Sequence, residues 1–117
     1  MQLLMRSPHV RAVVAAVMLT LLGEVAWAAL GAPPYQVSQK GRAFRPGELT
    51  IRRGETVQIV NDDGDLLHHA YVDSERFTFD SGDQEPGSKA DVTFPVAGTF
   101  AVLCGIHPKM KLTVHVN

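Results

Sequence analysis

Gly98-Thr99-Phe100-Ala101-Val102-Leu103-Cys104-Gly105-Ile106-His107-Pro108-Lys109-Met110-Lys111-Leu112-Thr113-Val114-His115-Val116 contains two extended segments separated by a short loop. After the loop, polar Lys111, Thr113 and His115 alternate with apolar Leu112, Val114 and Val116. Successive side chains of a strand point to opposite faces, so a period of two marks a strand with one buried side. Before the loop, Thr99 to Leu103 is apolar and rich in residues that favour extended backbone. Both segments read as strands, and the loop between them gathers a thiol, an imidazole and a thioether at intervals of three residues: Cys104, His107 and Met110.

The same pattern repeats upstream. Tyr35 to Ser38 reads as a first strand, Pro46-Gly47 as a turn before Leu49 to Ile51, and Arg53-Gly54-Glu55 as a turn before Thr56 to Asn61. Asp62-Asp63-Gly64-Asp65 forms a polar loop ahead of a strand over His69 to Val72. Asp73 to Gly87 is acidic and glycine-containing, and is expected to be mostly loop with a short strand around Phe77 to Phe79. Ala90 to Phe94 gives another strand, linked to Thr99 by a tight connection at Pro95 to Gly98. Many short strands and no helical period predict an all-β fold, a two-sheet antiparallel sandwich.

The amino-terminal part differs from this. Arg6 and Arg11 precede an apolar run from Ala12 to Gly23, followed by Ala26-Trp27-Ala28, the small-x-small pattern of a signal-peptidase site. The run falls short of the ~20 residues that span a bilayer, and Glu24 interrupts it, so a cleaved export signal over 1–28 is expected in preference to a retained anchor. No paired arginines suggest the twin-arginine route. Residues 29–34 are small and proline-containing, a flexible lead-in to one domain over 35–117. The expected product is a periplasmic or secreted monomer with no membrane span after signal cleavage. A formal net charge of -1 offers nothing for nucleic acid to bind.

The 117-residue chain has a single cysteine. Outside the cytoplasm a lone thiol is exposed to oxidation and to pairing between chains unless it is buried or bound. A thiolate, two imidazoles and a weak thioether make up a blue-copper site, so Cys104, His107 and Met110 supply three of four ligands. His68 and His69 are the candidates for the fourth. In a strand, His68 shares a face with Ala70 and Val72, and His69 shares one with Tyr71 and Asp73; the more apolar face selects His68. The same parity puts Phe100, Val102 and Cys104 on one face. Structural zinc sites draw on more cysteines than this chain has.

At these residues the chain resembles the cupredoxins, and most closely the amicyanin and plastocyanin group. The resemblance runs through Phe44-Arg45-Pro46, Arg53-Gly54-Glu55-Thr56-Val57, Val60-Asn61-Asp62-Asp63, Leu67-His68, and Gly98-Thr99-Phe100 into Cys104 to Met110. The short His107-to-Met110 spacing is similar to the amicyanin side of the group. The resemblance implies a Greek-key sandwich of about eight strands, one type 1 copper held by His68, Cys104, His107 and Met110, and electron entry or exit through His107. It also implies redox protein partners, with a c-type cytochrome and an amine dehydrogenase as candidates. This chain departs from the group in having His69 where asparagine is usual, and Lys111-Leu112 where a glycine is common.

The alternative is a periplasmic copper-binding or delivery protein without an electron-transfer role. Such proteins tend to use methionine and histidine clusters, so the thiolate at Cys104 favours electron transfer, and the chain is not expected to be an enzyme. Oxidase and nitrite-reducing sites need further coppers, typically with histidine beside the cysteine, whereas Leu103 and Gly105 flank Cys104. The charges bordering the ligands, Asp62, Asp63 and Asp65 on one side and Lys109 and Lys111 on the other, read as solvated loop charges.

Overall fold

Strands form wherever β-branched and aromatic residues recur between turn residues in this computed structural model, which describes residues 35–117. The signal expected over 1–28 and the lead-in over 29–34 lie outside the described residues. The strands are β1 (Tyr35–Lys40), β2 (Ala43–Arg45), β3 (Glu48–Ile51), β4 (Thr56–Asn61) and β5 (His68–Asp73). They continue with β6 (Thr78–Gln84), β7 (Lys89–Thr93), β8 (Gly98–Leu103) and β9 (Lys111–Val116). They make two sheets, ordered β2-β1-β4-β7 and β3-β9-β8-β5-β6. Among the described residues no helix is long and apolar enough to cross a membrane.

The sandwich expected from the sequence is present, but its sheets are mixed. β1 pairs with β4 in parallel, and β3 with β9 in parallel, while the other pairings are antiparallel. The cause is the route of the chain. After the β1–β2 hairpin it crosses to the other sheet as β3 before returning as β4, and a strand that returns through a crossover can enter parallel to its neighbour.

Two elements differ from expectation. β2 is three residues long, too short to leave a periodic signature. β6 occupies much of the stretch expected to be loop, although its sequence Thr-Phe-Asp-Ser-Gly-Asp-Gln is mostly polar. As an edge strand it needs only one neighbour, and it takes its hydrogen bonds from β5 with a register shift between His69 and Tyr71. Strand propensity here gives way to pairing with a template already in place.

The core lies between the sheets. Val37, Ile59 and Val92 of one sheet and Val102, Leu112 and Val114 of the other are buried in one core cluster. Phe77, Phe94 and Phe100 pack as an aromatic trio, with ring centroids 5.3, 4.9 and 6.0 Å apart. Close by, Gly98 adopts φ +143, and a Cβ there would lie 2.8 Å from an Arg76 guanidinium nitrogen and 3.3 Å from the Phe100 ring. The Arg76 guanidinium also donates to the Ala97 carbonyl. Three connections meet elsewhere on the sandwich: the Gly41-Arg42 turn, the loop between β4 and β5, and the loop between β8 and β9.

Candidate metal centre

β5 starts at His68, and its burial alternates as the residue types require. His68, Ala70 and Val72 are buried, while His69 and Tyr71 are half-buried and Asp73 is exposed. Parity therefore sends the two neighbouring histidines in opposite directions. The His68 side chain is 0% exposed. His69 turns to the outer face, where Nε2 lies 2.6 Å from Asp80 Oδ1 and the ring stacks on Tyr71. In β8 the alternation carries Phe100 and Val102 inward, and Cys104 follows in step just past the strand end, 2% exposed.

One donor atom each from His68, Cys104 and His107 lies within 4.8 Å of the others. Cys104 Sγ is 3.8 Å from His107 Nδ1, and the His68 and His107 rings meet edge-on with centroids 5.1 Å apart. Met110 closes the loop. It is 1% exposed, and its N–H donates to the His107 carbonyl at 3.0 Å, which folds the loop back toward β9.

The chemistry of the set matches its geometry. His68 Nδ1 is buried and has no hydrogen-bond partner in the protein. A buried acceptor left without a partner is costly, and an electron-pair acceptor at the centre of the cluster relieves that cost. A thiol and two imidazoles held this close, with a thioether in the same loop, fit type 1 copper. His107 is only partly covered, and the surface around it is formed by Arg42, Ile106, Pro108 and Lys109. Ile106 is 41% exposed, the exposed large hydrophobic residue among those described. Burial, reinforced by His68 and Arg42, holds the His107 imidazole below its usual range.

Asp63 does not behave as the solvated loop charge its sequence context suggests. Its side chain is 11% exposed, and Oδ2 lies 2.5 Å from His68 Nε2. Its other oxygen accepts the Gly41 N–H at 3.2 Å. The bond to His68, outweighing the opposing effect of desolvation, holds this carboxyl below the usual carboxylate range. Behind it, buried Asn61 donates to the carbonyls of Leu66 and Gln84, at 2.8 Å each, and accepts the Asp63 N–H at 3.0 Å. Gln84 in turn accepts from Gln39 at 2.8 Å. This network holds the loop that leads into His68. Spacing alone does not separate Asp63 from Asp62 or Asp65, and Asn61 reads in the sequence as the end of a strand.

Among the described residues, the histidines outside the cluster have other partners. His69 is bound to Asp80, and His115 Nε2 lies 2.5 Å from Glu48 on the outer face of β9. Gly105 has a part in the first arrangement, since a Cβ there would come within 2.5 Å of His69 Nδ1. Only glycine lets the His69 ring lie against the backbone next to Cys104.

No family model matches the chain, and none of the curated proteins does. Among solved structures, a copper-containing nitrite reductase from Thermus scotoductus SA-01 matches with a TM-score of 0.67 and 32% identity. That match takes in 75% of this chain but only 23% of the enzyme, so the chain spans much less than the enzyme's length. A Cu(I) form of an amicyanin variant matches with a TM-score of 0.67 and 22% identity, over 77% of this chain and 88% of that one. A reduced amicyanin variant matches with the same score at 23% identity, covering 77% and 89%.

Proposed function

We propose that this chain, whose fold is that of the cupredoxins, is a small exported electron carrier in which His68, Cys104, His107 and Met110 hold one type 1 copper. The observation that carries this reading is the convergence of His68, Cys104 and His107 within 4.8 Å, with His68 Nδ1 buried and unpartnered. When bound, copper supplies a one-electron couple between Cu(I) and Cu(II).

The residues do the rest. Cys104 offers a thiolate from the end of β8, and His68 an imidazole from the start of β5, two elements joined in one sheet by the Tyr71–Leu103 pairing. Donors fixed by hydrogen-bonded strands move little when charge changes, which keeps reorganisation small. His107 carries the cluster to the surface, and Ile106 and Pro108 give it an apolar surround from which a docking partner can expel water. Arg42 and Lys109 border that surround and can orient an approaching redox protein. A c-type cytochrome and an amine dehydrogenase are the partner classes to try, and the export reading of residues 1–28 puts the meeting place in the periplasm or outside the cell.

The electron-carrier reading is preferred to an enzyme because the remaining histidines among the described residues, His69 and His115, are committed to Asp80 and Glu48 and are not part of the donor cluster. The test is to add Cu(II) to the purified protein. An intense visible thiolate charge-transfer band, narrow copper hyperfine splitting and reversible one-electron titration are expected. A colourless adduct would rule the reading out. A coloured adduct that gives up its copper to a chelator faster than it exchanges electrons with a cytochrome would favour delivery instead.

A further inference from the structure

We propose that Asp63 is a positioning residue of the metal centre: its carboxylate sets the tautomer of His68 and places negative charge behind that ligand, lowering the reduction potential. The inference rests on the copper reading above. A carboxylate can only accept hydrogen bonds, so the proton shared between Asp63 Oδ2 and His68 Nε2, 2.5 Å apart, belongs to the imidazole. A neutral ring protonated at Nε2 leaves a lone pair on Nδ1, the nitrogen that is buried and unpartnered.

The carboxylate itself is held from three directions. Gly41 N–H binds Oδ1, His68 binds Oδ2, and the Asp63 backbone is tied to the side chain of buried Asn61. Such a group does not swing away when the ligand changes. A carboxylate on the far N–H of a ligand histidine raises the donor strength of the near nitrogen. The added negative charge favours the doubly charged ion over the singly charged one, because attraction scales with the product of the charges. Cu(II) is thereby stabilised relative to Cu(I). Exposed Asp65 has the same formal charge in the same loop, without the hydrogen bond or the burial, and serves as a control.

The experiment is a redox titration of the copper-loaded wild-type, Asp63→Asn and Asp65→Asn proteins. Asparagine keeps an acceptor oxygen toward His68 but removes the charge. Asp63→Asn is expected to weaken Cu(II) binding relative to Cu(I) by about 10–100-fold, with the potential rising about 59 mV for each tenfold, while Asp65→Asn leaves it near the wild-type value. A blue, copper-loaded Asp63→Asn protein with an unchanged potential overturns the proposal, since a role confined to holding the loop alters stability alone. If that variant does not fold, long-range proton–nitrogen correlation spectra of the metal-free wild-type chain decide the tautomer. A His68 ring protonated at Nε2 supports the assignment, and one protonated at Nδ1 overturns it. A wild-type chain without the thiolate band sinks the copper reading and the potential with it, whereas the tautomer measurement still tests Asp63 on its own.

Discussion

His68 and His69 differ by one position and by nothing in chemistry, yet the pleat of β5 buries one among donors and turns the other to Asp80 and Tyr71. His68→Ala is therefore expected to abolish the visible band that Cu(II) produces, and His69→Ala to leave it, as read by absorption of the titrated proteins. Cys104→Ser should remove the band altogether, because the colour requires the thiolate. Asp80 offers a pH test. The Gly82 N–H, then the His69 side chain, hold its carboxyl below the usual range. A carboxylate with a lowered folded-state pKa contributes stability that is present above its unfolded value, about 3.9, and is lost as pH falls through the folded one. Metal-free Asp80→Asn should thus show a shallower loss of stability below about pH 4 in urea titrations across pH, starting from a lower plateau near neutrality.

Within the loop between β4 and β5, one buried amide makes three of the hydrogen bonds. Asn61 caps the Leu66 and Gln84 carbonyls from a fully buried position, and among the described residues no other side chain is bonded to them. Asn61→Ala leaves those carbonyls and the Asp63 N–H without this partner, at an expected cost of about 1–3 kcal/mol, measured by denaturant unfolding. Its copper band should also broaden, because the loop that positions Asp63 is freed. In the sandwich itself, Phe94 is fully buried against Phe77 and Phe100. Truncation to alanine there is expected to cost about 3–5 kcal/mol by the same measurement. These elements were legible to different degrees. β9 alternates cleanly, so pattern alone delimits it, whereas β6 owes its existence to the open edge of β5 and carries no pattern of its own.

At the scale of the whole molecule, the cluster joins strands that belong to one sheet to a loop reaching the surface, so occupation by metal should couple to global stability. Copper loading is expected to raise the melting temperature and a strong chelator to reverse it, because a ligand that binds only the folded chain stabilises it by mass action. The cationic border of the His107 surface, Arg42 and Lys109, should draw small anionic oxidants to it. The rate of oxidation of the Cu(I) protein by hexacyanoferrate(III) is expected to fall with rising ionic strength and with Lys109→Glu, as followed by stopped-flow growth of the band. The sequence by itself determined the strand class, marked Cys104 to Met110 as a candidate donor loop, and told which of His68 and His69 faces the core, because period and spacing are local quantities that survive in one dimension. Tertiary structure alone decided the parallel pairings, the strand at β6, and the conversion of Asp63 from one acidic loop residue among several into the partner of His68. Those depend on which segments the crossing chain brings side by side, and burial and hydrogen bonding between distant segments leave no period to read.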